Sequence, residues 1–166
     1  MIYIKPYEYE LIDKLLKDKG LEHLKCKQLY QRKYSEVVAI LNLFLNLSEE
    51  QKKLFMPLLT SNIWHSNLEN VRAIFDIFSN LREEQESLFK PLLTSTIWNS
   101  NPENVKAIFD IFSNLTKEQE SLFKHLLKST IWKSNPKNVR AIFDIFSNLT
   151  KEQKEVFMPL LTSNIW

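Results

Sequence analysis

The hydrophobic residues of this chain recur in blocks, and the block at residues 101–134 shows the pattern clearly. Apolar residues fill most positions from 105 to 112. A polar stripe with the spacing i, i+4, i+7 interrupts them and consists of Lys106, Asp110 and Ser113. Asn101 is a preferred N-cap residue, and Pro102 suits the first helical position. The pattern predicts a helix from Pro102 to about Asn114 that neighbours must cover on several sides.

A second helix is predicted in the same block. Thr116-Lys-Glu-Gln119 has the pattern of a capping box. Apolar residues follow at positions 122, 123, 126, 127, 131 and 132 and supply a buried face. Between the two helices lies Asn114, which after glycine is the residue type most ready to end a helix in the left-handed conformation. We therefore expect two helices with a left-handed residue between them.

The blocks are tandem repeats. Ile-Trp recurs at a constant interval, at Trp64, Trp98, Trp132 and Trp166. The units are 33–66, 67–100, 101–134 and 135–166, and together they fill residues 34–166 as one continuous domain. Two helices in each unit, stacked unit on unit, are typical of an α-solenoid. The predicted fold class is all-α: an α-solenoid of four 34-residue helical repeats with a short helical N-terminal cap.

Proline marks one position of the second helix. It occurs in three of the four repeats, as Pro57, Pro91 and Pro159, while His125 takes its place in the other. Proline inside a helix removes a backbone hydrogen bond and collides with the preceding turn. We expect the second helix to kink there or to split into two short helices.

The predicted cap, residues 1–33, is basic. It holds eight Lys and Arg residues against five acidic ones, a net charge of +3. Removing these from the totals of 22 basic and 20 acidic residues leaves 14 and 15, so the repeats carry −1. We predict two cap helices, about 7–19 and 21–32, split by Gly20. The bases could contact nucleic acid or anionic lipid, but the polar outer face that an end cap needs is the favoured explanation.

The composition indicates the cellular compartment in which the protein is found. Cys26 is the only cysteine, so an intrachain disulfide is excluded and a reducing compartment is favoured. The chain begins without the apolar run of a signal peptide, and no stretch of about 18 apolar residues predicts a membrane span. An intracellular location is predicted, with secretion as an effector by another signal left open.

The first candidate binding residues are three basic side chains at one position of successive first helices: Arg72, Lys106 and Arg140. In stacked repeats such positions line up, and a basic row at repeat spacing could follow phosphates. Acidic residues four positions later allow pairing within each helix instead: Asp76, Asp110 and Asp144.

A second set of candidates lies at the junctions between repeats, where His65, Asn99 and Lys133 differ among otherwise similar units. They could make repeat-specific contacts, as in proteins that read one base per repeat, or reflect an unconstrained surface. The tryptophans before them could stack on bases. Their place beside isoleucine at a helix end favours packing between repeats.

Catalytic and metal chemistry are not predicted. His23 and Cys26 have a spacing that suits two metal ligands on a helix face, but a structural zinc site needs four ligands and no others accompany them. Every Ser and Thr of the repeats recurs where caps or turns need one. We predict a chain that is not an enzyme and has no cofactor.

One repeat motif resembles a known family. The run Asn114-Leu-Thr-Lys-Glu-Gln119, then Phe123, then the Pro-Leu-Leu seen at 57–59, 91–93 and 159–161, is similar to the repeat of the mitochondrial transcription termination factor family. Asn stands where that family usually has Gly. The resemblance covers the four repeats and implies a nucleic-acid-binding α-solenoid.

These patterns predict a binding scaffold. A protein or peptide partner is favoured over nucleic acid, because phosphate binding needs several uncompensated Lys or Arg residues and the repeats carry −1. Nucleic acid, as the family resemblance implies, is the alternative. A self-assembling array is a third, with end-to-end association through Ile165–Trp166.

Overall fold

The computed structural model describes residues 6–60 and 62–166. Within those ranges the regular structure is helical throughout, without a strand, which confirms the all-α class. The α-helices are α1 (Pro6–Asp18), α2 (Tyr34–Leu45), α3 (Glu49–Phe55), α4 (Leu68–Ser79), α5 (Glu83–Phe89), α6 (Pro102–Phe112), α7 (Lys117–Phe123), α8 (Pro136–Ser147) and α9 (Lys151–Phe157). Short 3-10 turns lie between them. The chain forms two compact units, one that ends at Ser79 and one that spans Asn80–Trp166.

The long first helix of a repeat begins where the sequence predicts. Asn67, Asn101 and Asn135 each precede such a helix, and the side-chain Oδ1 of each accepts a hydrogen bond from the backbone N–H two residues later, at 2.8, 2.9 and 3.0 Å. These bonds satisfy backbone donors that the first turn of a helix leaves without intrahelical partners. The N-cap predictions are therefore confirmed.

The short second helices begin with capping boxes. Ser48, Thr116 and Thr150 each accept a bond from the backbone N–H three residues later, and the glutamine there accepts a bond from the backbone N–H of the capping residue. α5 keeps half of this arrangement. The Arg82 N–H donates to Oε1 of Gln85 at 3.0 Å, but an arginine side chain has no oxygen to accept the return bond.

The first helices end without a left-handed residue, so the prediction for Asn114 was wrong. No residue other than glycine has a positive φ in the described part of the chain. At the ends of α4 and α6, a carbonyl finds its partner in the preceding repeat instead. The side-chain amide of Gln85 donates to the Ser113 carbonyl at 2.5 Å, and that of Gln51 donates to the Ser79 carbonyl. A left-handed cap is unnecessary where a side chain supplies the donor.

The second helices split as predicted. α3, α5 and α9 each run for seven residues, and a 3-10 turn containing the proline follows, at Met56–Leu58, Lys90–Leu92 and Met158–Leu160. α7 also ends after seven residues, at Phe123, although His125 replaces the proline. Proline is therefore not required for the helix to end at this position.

The cap contains one α-helix, α1. It ends at Asp18, and Gly20 two residues later has a φ of 68°, in the left-handed region that glycine enters freely. The Leu21 N–H then bonds back to the Leu16 carbonyl at 2.8 Å, as in a Schellman motif. The second cap helix, predicted over 21–32, was wrong: the chain forms two 3-10 turns, Glu22–Leu24 and Leu29–Gln31. Three residues per turn bring Leu21 and Leu24 to one buried side.

A recurring aromatic pair joins the second helix of one repeat to the first helix of the next. Phe55 lies on Phe75 with ring centroids 5.1 Å apart in the first unit. In the second unit Phe89 lies on Phe109 at 4.8 Å, and Phe123 on Phe143 at 5.1 Å. The members of each pair hold the same two repeat positions, and offset aromatic contacts at this distance add to the gain from burial.

Candidate binding surfaces

Three of the four junction tryptophans are buried: Trp64, Trp98 and Trp132 are at most 1% exposed. The Trp132 indole N–H donates to the Leu92 carbonyl at 2.8 Å and the ring stacks on Phe89. Trp166 makes the equivalent bond, to Leu126 at 2.8 Å. Such buried rings present no face on which a base could stack.

The predicted basic positions are exposed and partly compensated. Lys106 Nζ lies 2.5 Å from Oδ1 of Asp110, which confirms pairing within that helix. Arg72 Nη1 lies 3.7 Å from Oε1 of Glu69. Arg140 is exposed and has no acidic side chain within ion-pair distance in the described part of the chain. Lys106 and Arg140 occupy the same repeat position, but a neighbouring carboxylate compensates the charge of Lys106 and not that of Arg140.

The variable junction residues face solvent. His65, Asn99 and Lys133 are each exposed at the last position of a 3-10 turn, directly after a buried tryptophan. A 3-10 turn sends successive side chains about 120° apart, so burial of the tryptophan leaves its successor outside. Their variation is consistent with repeat-specific contacts and also with an unconstrained surface. Their role in binding stays a prediction.

The cap's charged side chains form a cluster. The Tyr30 hydroxyl donates to the Asp13 carboxylate, and Lys25 Nζ lies 3.7 Å from the same carboxylate. Burial of the ring, followed by the hydrogen bond to Asp13, raises the pKa of Tyr30 to about 12. An open depression of about 450 Å³ lies beside these residues, between Tyr9 and Lys27. The cluster ties α1 to the turn at Leu29–Gln31.

Arg32 differs from the lysines of the cap. Arg32 pairs with Glu36 at 2.6 Å and donates to the Ser66 carbonyl at 2.9 Å, so it joins the cap to the first repeat. A larger group is exposed: Lys14, Lys17, Lys19, Lys25, Lys27 and Lys33. The exposed group gives the cap the polar outer face predicted for it.

His23 and Cys26, the two residues with a metal-ligand spacing, do not share a helix face. His23 lies in a 3-10 turn and Cys26 in the loop after it. No three His, Cys, Asp or Glu side chains come together as a metal site in the described ranges. In those ranges, too, every helix is too short or too polar to cross a membrane.

The least expected surface lies on the fourth repeat. We call it the end face, and it consists of Ile145, Val156, Phe157 and Leu160. Their exposed fractions are 61, 67, 42 and 72%. The equivalent residues of the third repeat are 6, 4, 0 and 2% exposed, namely Ile111, Leu122, Phe123 and Leu126. Contiguous exposed apolar side chains of this size are unusual on a soluble protein surface and mark interaction sites.

Self-association through Ile165–Trp166 was a possibility that the sequence left open, and it stays a prediction. The Trp166 ring packs back on Phe112 and Phe123, and its indole N–H is bonded to the Leu126 carbonyl. Repeat alignment carries a signal that would have found the end face. Apolar positions that are buried in the third repeat are exposed at the equivalent sites of the fourth, on α8 and α9.

Comparisons of the chain with protein-family models, curated proteins and solved structures found no match. The resemblance to the transcription termination factor repeat therefore stays a prediction that rests on the motif residues alone. The interpretation of function depends on the surfaces described above.

Proposed function

We propose that this chain is a non-catalytic helical-repeat scaffold whose four repeats stack as an α-solenoid and bind a protein or peptide partner. Three features support the stacking. The aromatic pairs recur at the repeat interval, the indole-to-carbonyl bonds of Trp132 and Trp166 span 40 residues each, and the glutamine-to-carbonyl bonds span 28. The Ser and Thr residues of the repeats recur where caps or turns need one, which argues against a catalytic role for them.

The charge of the repeats is the observation that carries the choice of partner. The repeats net to −1 and Lys106 is paired with Asp110, so few cations are free to bind phosphates. The exposed apolar side chains of the end face add to this argument. Exposed isoleucine, valine, phenylalanine and leucine side chains gain free energy when another apolar surface covers them, at roughly 25 cal/mol per Å². A phosphate backbone offers no such surface, whereas protein interfaces have apolar centres. The neighbouring charges on α9 alternate in sign, with Lys151 and Lys154 beside Glu152 and Glu155. A mixed rim of this kind suits a protein partner better than a polyanion.

Nucleic acid is the second candidate. The exposed cap lysines and the uncompensated Arg140 favour it, as does the resemblance to the transcription termination factor repeat. The pairing of Lys106 with Asp110 and the net charge of −1 on the repeats oppose it.

A self-assembling array is the third candidate, and the end face favours it too, since two copies could cover each other. The reducing intracellular compartment remains part of the proposal and rests on the single cysteine, Cys26.

Fluorescence anisotropy with random-sequence single- and double-stranded oligonucleotides tests the choice between protein and nucleic acid. We expect no binding at ~50 mM or at ~200 mM salt, because the phosphate-driven term needs free cations. Micromolar binding that weakens steeply over this range would overturn the protein-partner proposal.

A variant pair assigns any such binding. The variant Arg72→Ala, Lys106→Ala, Arg140→Ala removes the basic row, and Lys117→Ala, Lys124→Ala, Lys151→Ala removes three exposed charges outside it. Loss of oligonucleotide binding in the first variant alone would establish the basic row as a phosphate-binding site. Equal binding by both variants would remove the row from consideration.

A further inference from the structure

We propose that a groove between the cap and the first repeat binds an acidic peptide segment that carries large apolar side chains. We call it the cap groove. It lies between the end of α1 and the second helix of the first repeat, α3, and its volume is about 620 Å³. The inference deepens the proposed function and rests on it, since it names where a peptide partner docks and which chemistry recognises it.

Both walls of the cap groove belong to the chain itself, so the groove is not a surface left open at an end of the array. Residues 19–21, after the end of α1, form one wall, and α3 with the turn at Met56–Leu58 forms the other. α1 is 13 residues long, so its first residue lies roughly 18 Å from its last. A segment that precedes α1 therefore joins the fold far from the groove.

The floor of the cap groove is apolar. Leu21 and Phe44 line it and are 4% and 1% exposed, and the half-buried Met56 borders it. Methionine side chains are flexible and polarizable, so they adapt to apolar ligands of different shapes. A recess over such a floor accommodates the apolar anchor residues that contribute most to peptide binding.

The charges around the cap groove favour an anionic ligand. Three lysines line it, Lys19, Lys52 and Lys53, against a single acidic residue, Glu49. Lys52 Nζ lies 3.1 Å from Glu49 Oε1, so these two charges compensate each other. Lys19 and Lys53 are exposed and make no ion pair within the described ranges. Carboxylates beside an apolar anchor therefore meet two free ammonium groups, and such complementary charge gives a peptide its orientation and specificity.

The shape of the floor argues for a peptide over other anions. Phe44 is almost completely buried, so it presents no ring face on which a nucleic acid base could stack. A membrane surface binds apolar side chains that protrude from a protein, whereas Leu21 and Phe44 are recessed. A protruding side chain of a partner reaches a recessed floor.

Comparison with the middle repeats shows that the groove residues are not needed for the fold. At the positions of Lys52, Lys53 and Met56, the second and third repeats both have Glu, Ser and Lys, at 86, 87 and 90 and at 120, 121 and 124. Both repeats nevertheless form a second helix of seven residues, as the first repeat does. The Lys-Lys-Met set of the first repeat is therefore free to serve binding.

The first test measures fluorescence anisotropy of a fluorescein-labelled peptide, Glu-Glu-Leu-Phe-Glu-Glu, with the full chain at ~50 mM salt, where charge attraction is weakly screened. We expect a dissociation constant of roughly 100 µM or tighter, as for a short peptide with one anchored segment. The peptide Glu-Glu-Ser-Ser-Glu-Glu keeps the charge and lacks the anchor. We expect it to bind at least about tenfold more weakly.

A matched pair of variants locates the binding. The groove variant, Lys52→Glu, Lys53→Ser, Met56→Lys, gives the first repeat the residues that the middle repeats already tolerate, and circular dichroism checks its helix content. The control variant, Lys14→Ala, Lys33→Ala, lowers the net charge by the same two units at exposed cap positions outside the groove. We expect the groove variant to bind the Leu-Phe peptide at least about tenfold more weakly and the control variant within about twofold of the parent chain.

Three outcomes overturn the proposal. The first is that the parent chain does not bind the Leu-Phe peptide. The second is that the Ser-Ser peptide binds equally well, because the apolar floor then plays no part. The third is that both variants lose the same affinity, because net charge alone then explains the binding.

Two further probes separate the peptide from other anions. Vesicles of phosphatidylcholine and phosphatidylserine, or a single-stranded oligonucleotide, that bind the parent chain more tightly than the Leu-Phe peptide and lose binding in the groove variant would assign the groove to phosphates and overturn the proposal. Failure of the peptide alone leaves the proposed scaffold in place, since its other surfaces remain. The scaffold's protein-partner role fails instead on the salt-sensitive oligonucleotide binding described above.

Discussion

At the scale of single residues, equivalent tryptophans in different repeats differ in their hydrogen bonding. Trp64 and Trp132 occupy one repeat position and are both buried. The Trp132 indole N–H donates to the Leu92 carbonyl, but the Trp64 indole N–H has no partner among the described residues. The sequence motif Ile-Trp is identical at both sites, so only the surrounding structure distinguishes a satisfied indole from an unsatisfied one.

Replacing each tryptophan by phenylalanine tests this difference. Both Trp132→Phe and Trp64→Phe lose ring volume, but only Trp132→Phe leaves the Leu92 carbonyl without its donor. We expect Trp132→Phe to lower the free energy of unfolding by about 1–2 kcal/mol more than Trp64→Phe, the usual penalty for a buried group left unbonded. Urea denaturation followed by circular dichroism measures both. Equal losses would show that the indole bond adds nothing to stability.

Tyr30 predicts a pH dependence of the cap. Burial and the bond to Asp13 raise the pKa of Tyr30 from 10.0 to about 12. A raised folded-state pKa means that the tyrosine stabilises the fold fully below pH 10 and that this contribution is lost as the pH rises towards 12. We expect wild type to lose more stability over this window than Tyr30→Phe. Urea midpoints measured from pH 9 to ~12 on both proteins make the comparison, and identical profiles would contradict it.

At the scale of elements, helix starts follow local rules and helix ends do not. The N-cap and capping-box bonds lie within three residues of one another, and they form as the sequence predicts. The carbonyls at the ends of α4 and α6 accept bonds from Gln51 and Gln85, which reach across from the preceding repeat. That contact explains why Asn114 does not need the left-handed conformation.

His125 offers a test of what ends the second helix. Lys124 has φ and ψ of −51° and −39°, close to the −51° and −46° of Lys90 before Pro91. The His125 N–H donates no hydrogen bond within the described ranges. His125→Pro should therefore be accepted, and should raise the free energy of unfolding by about 0.4–1 kcal/mol because proline restricts the unfolded chain. His125→Ala is the control without that restriction. A destabilised proline variant in urea denaturation would contradict this account.

At the scale of the whole molecule, burial depends on the next repeat rather than on residue type. Leu126 and Leu160 occupy the same repeat position after similar helices, yet one is 2% and the other 72% exposed. Neighbouring repeats in such architectures supply much of each other's stability. The fourth repeat therefore exposes apolar residues of the kind that the third repeat buries.

Matched alanine substitutions at Leu126 and Leu160 measure how much burial of this leucine contributes to the free energy of unfolding. Leu126→Ala should lower the free energy of unfolding by about 2–5 kcal/mol, as for a buried leucine that leaves a cavity. Leu160→Ala should change it by less than about 0.5 kcal/mol, because solvent already reaches the side chain. Thermal or urea denaturation of both variants provides the values. A large loss at Leu160 would mean that the parent protein covers its end face in solution.

The sequence by itself determined the repeat period, the all-α class, the positions where helices begin and the split of the second helix. These features depend on residues within one turn of one another, or on the regular recurrence of Ile-Trp that is visible without coordinates. Only the tertiary structure decided how the first helices end, that the second cap segment forms 3-10 turns, and that the apolar residues of α8 and α9 form an exposed end face. Each of those outcomes depends on which parts of the chain pack against one another, and physical contact rather than sequence distance determines which side chains meet.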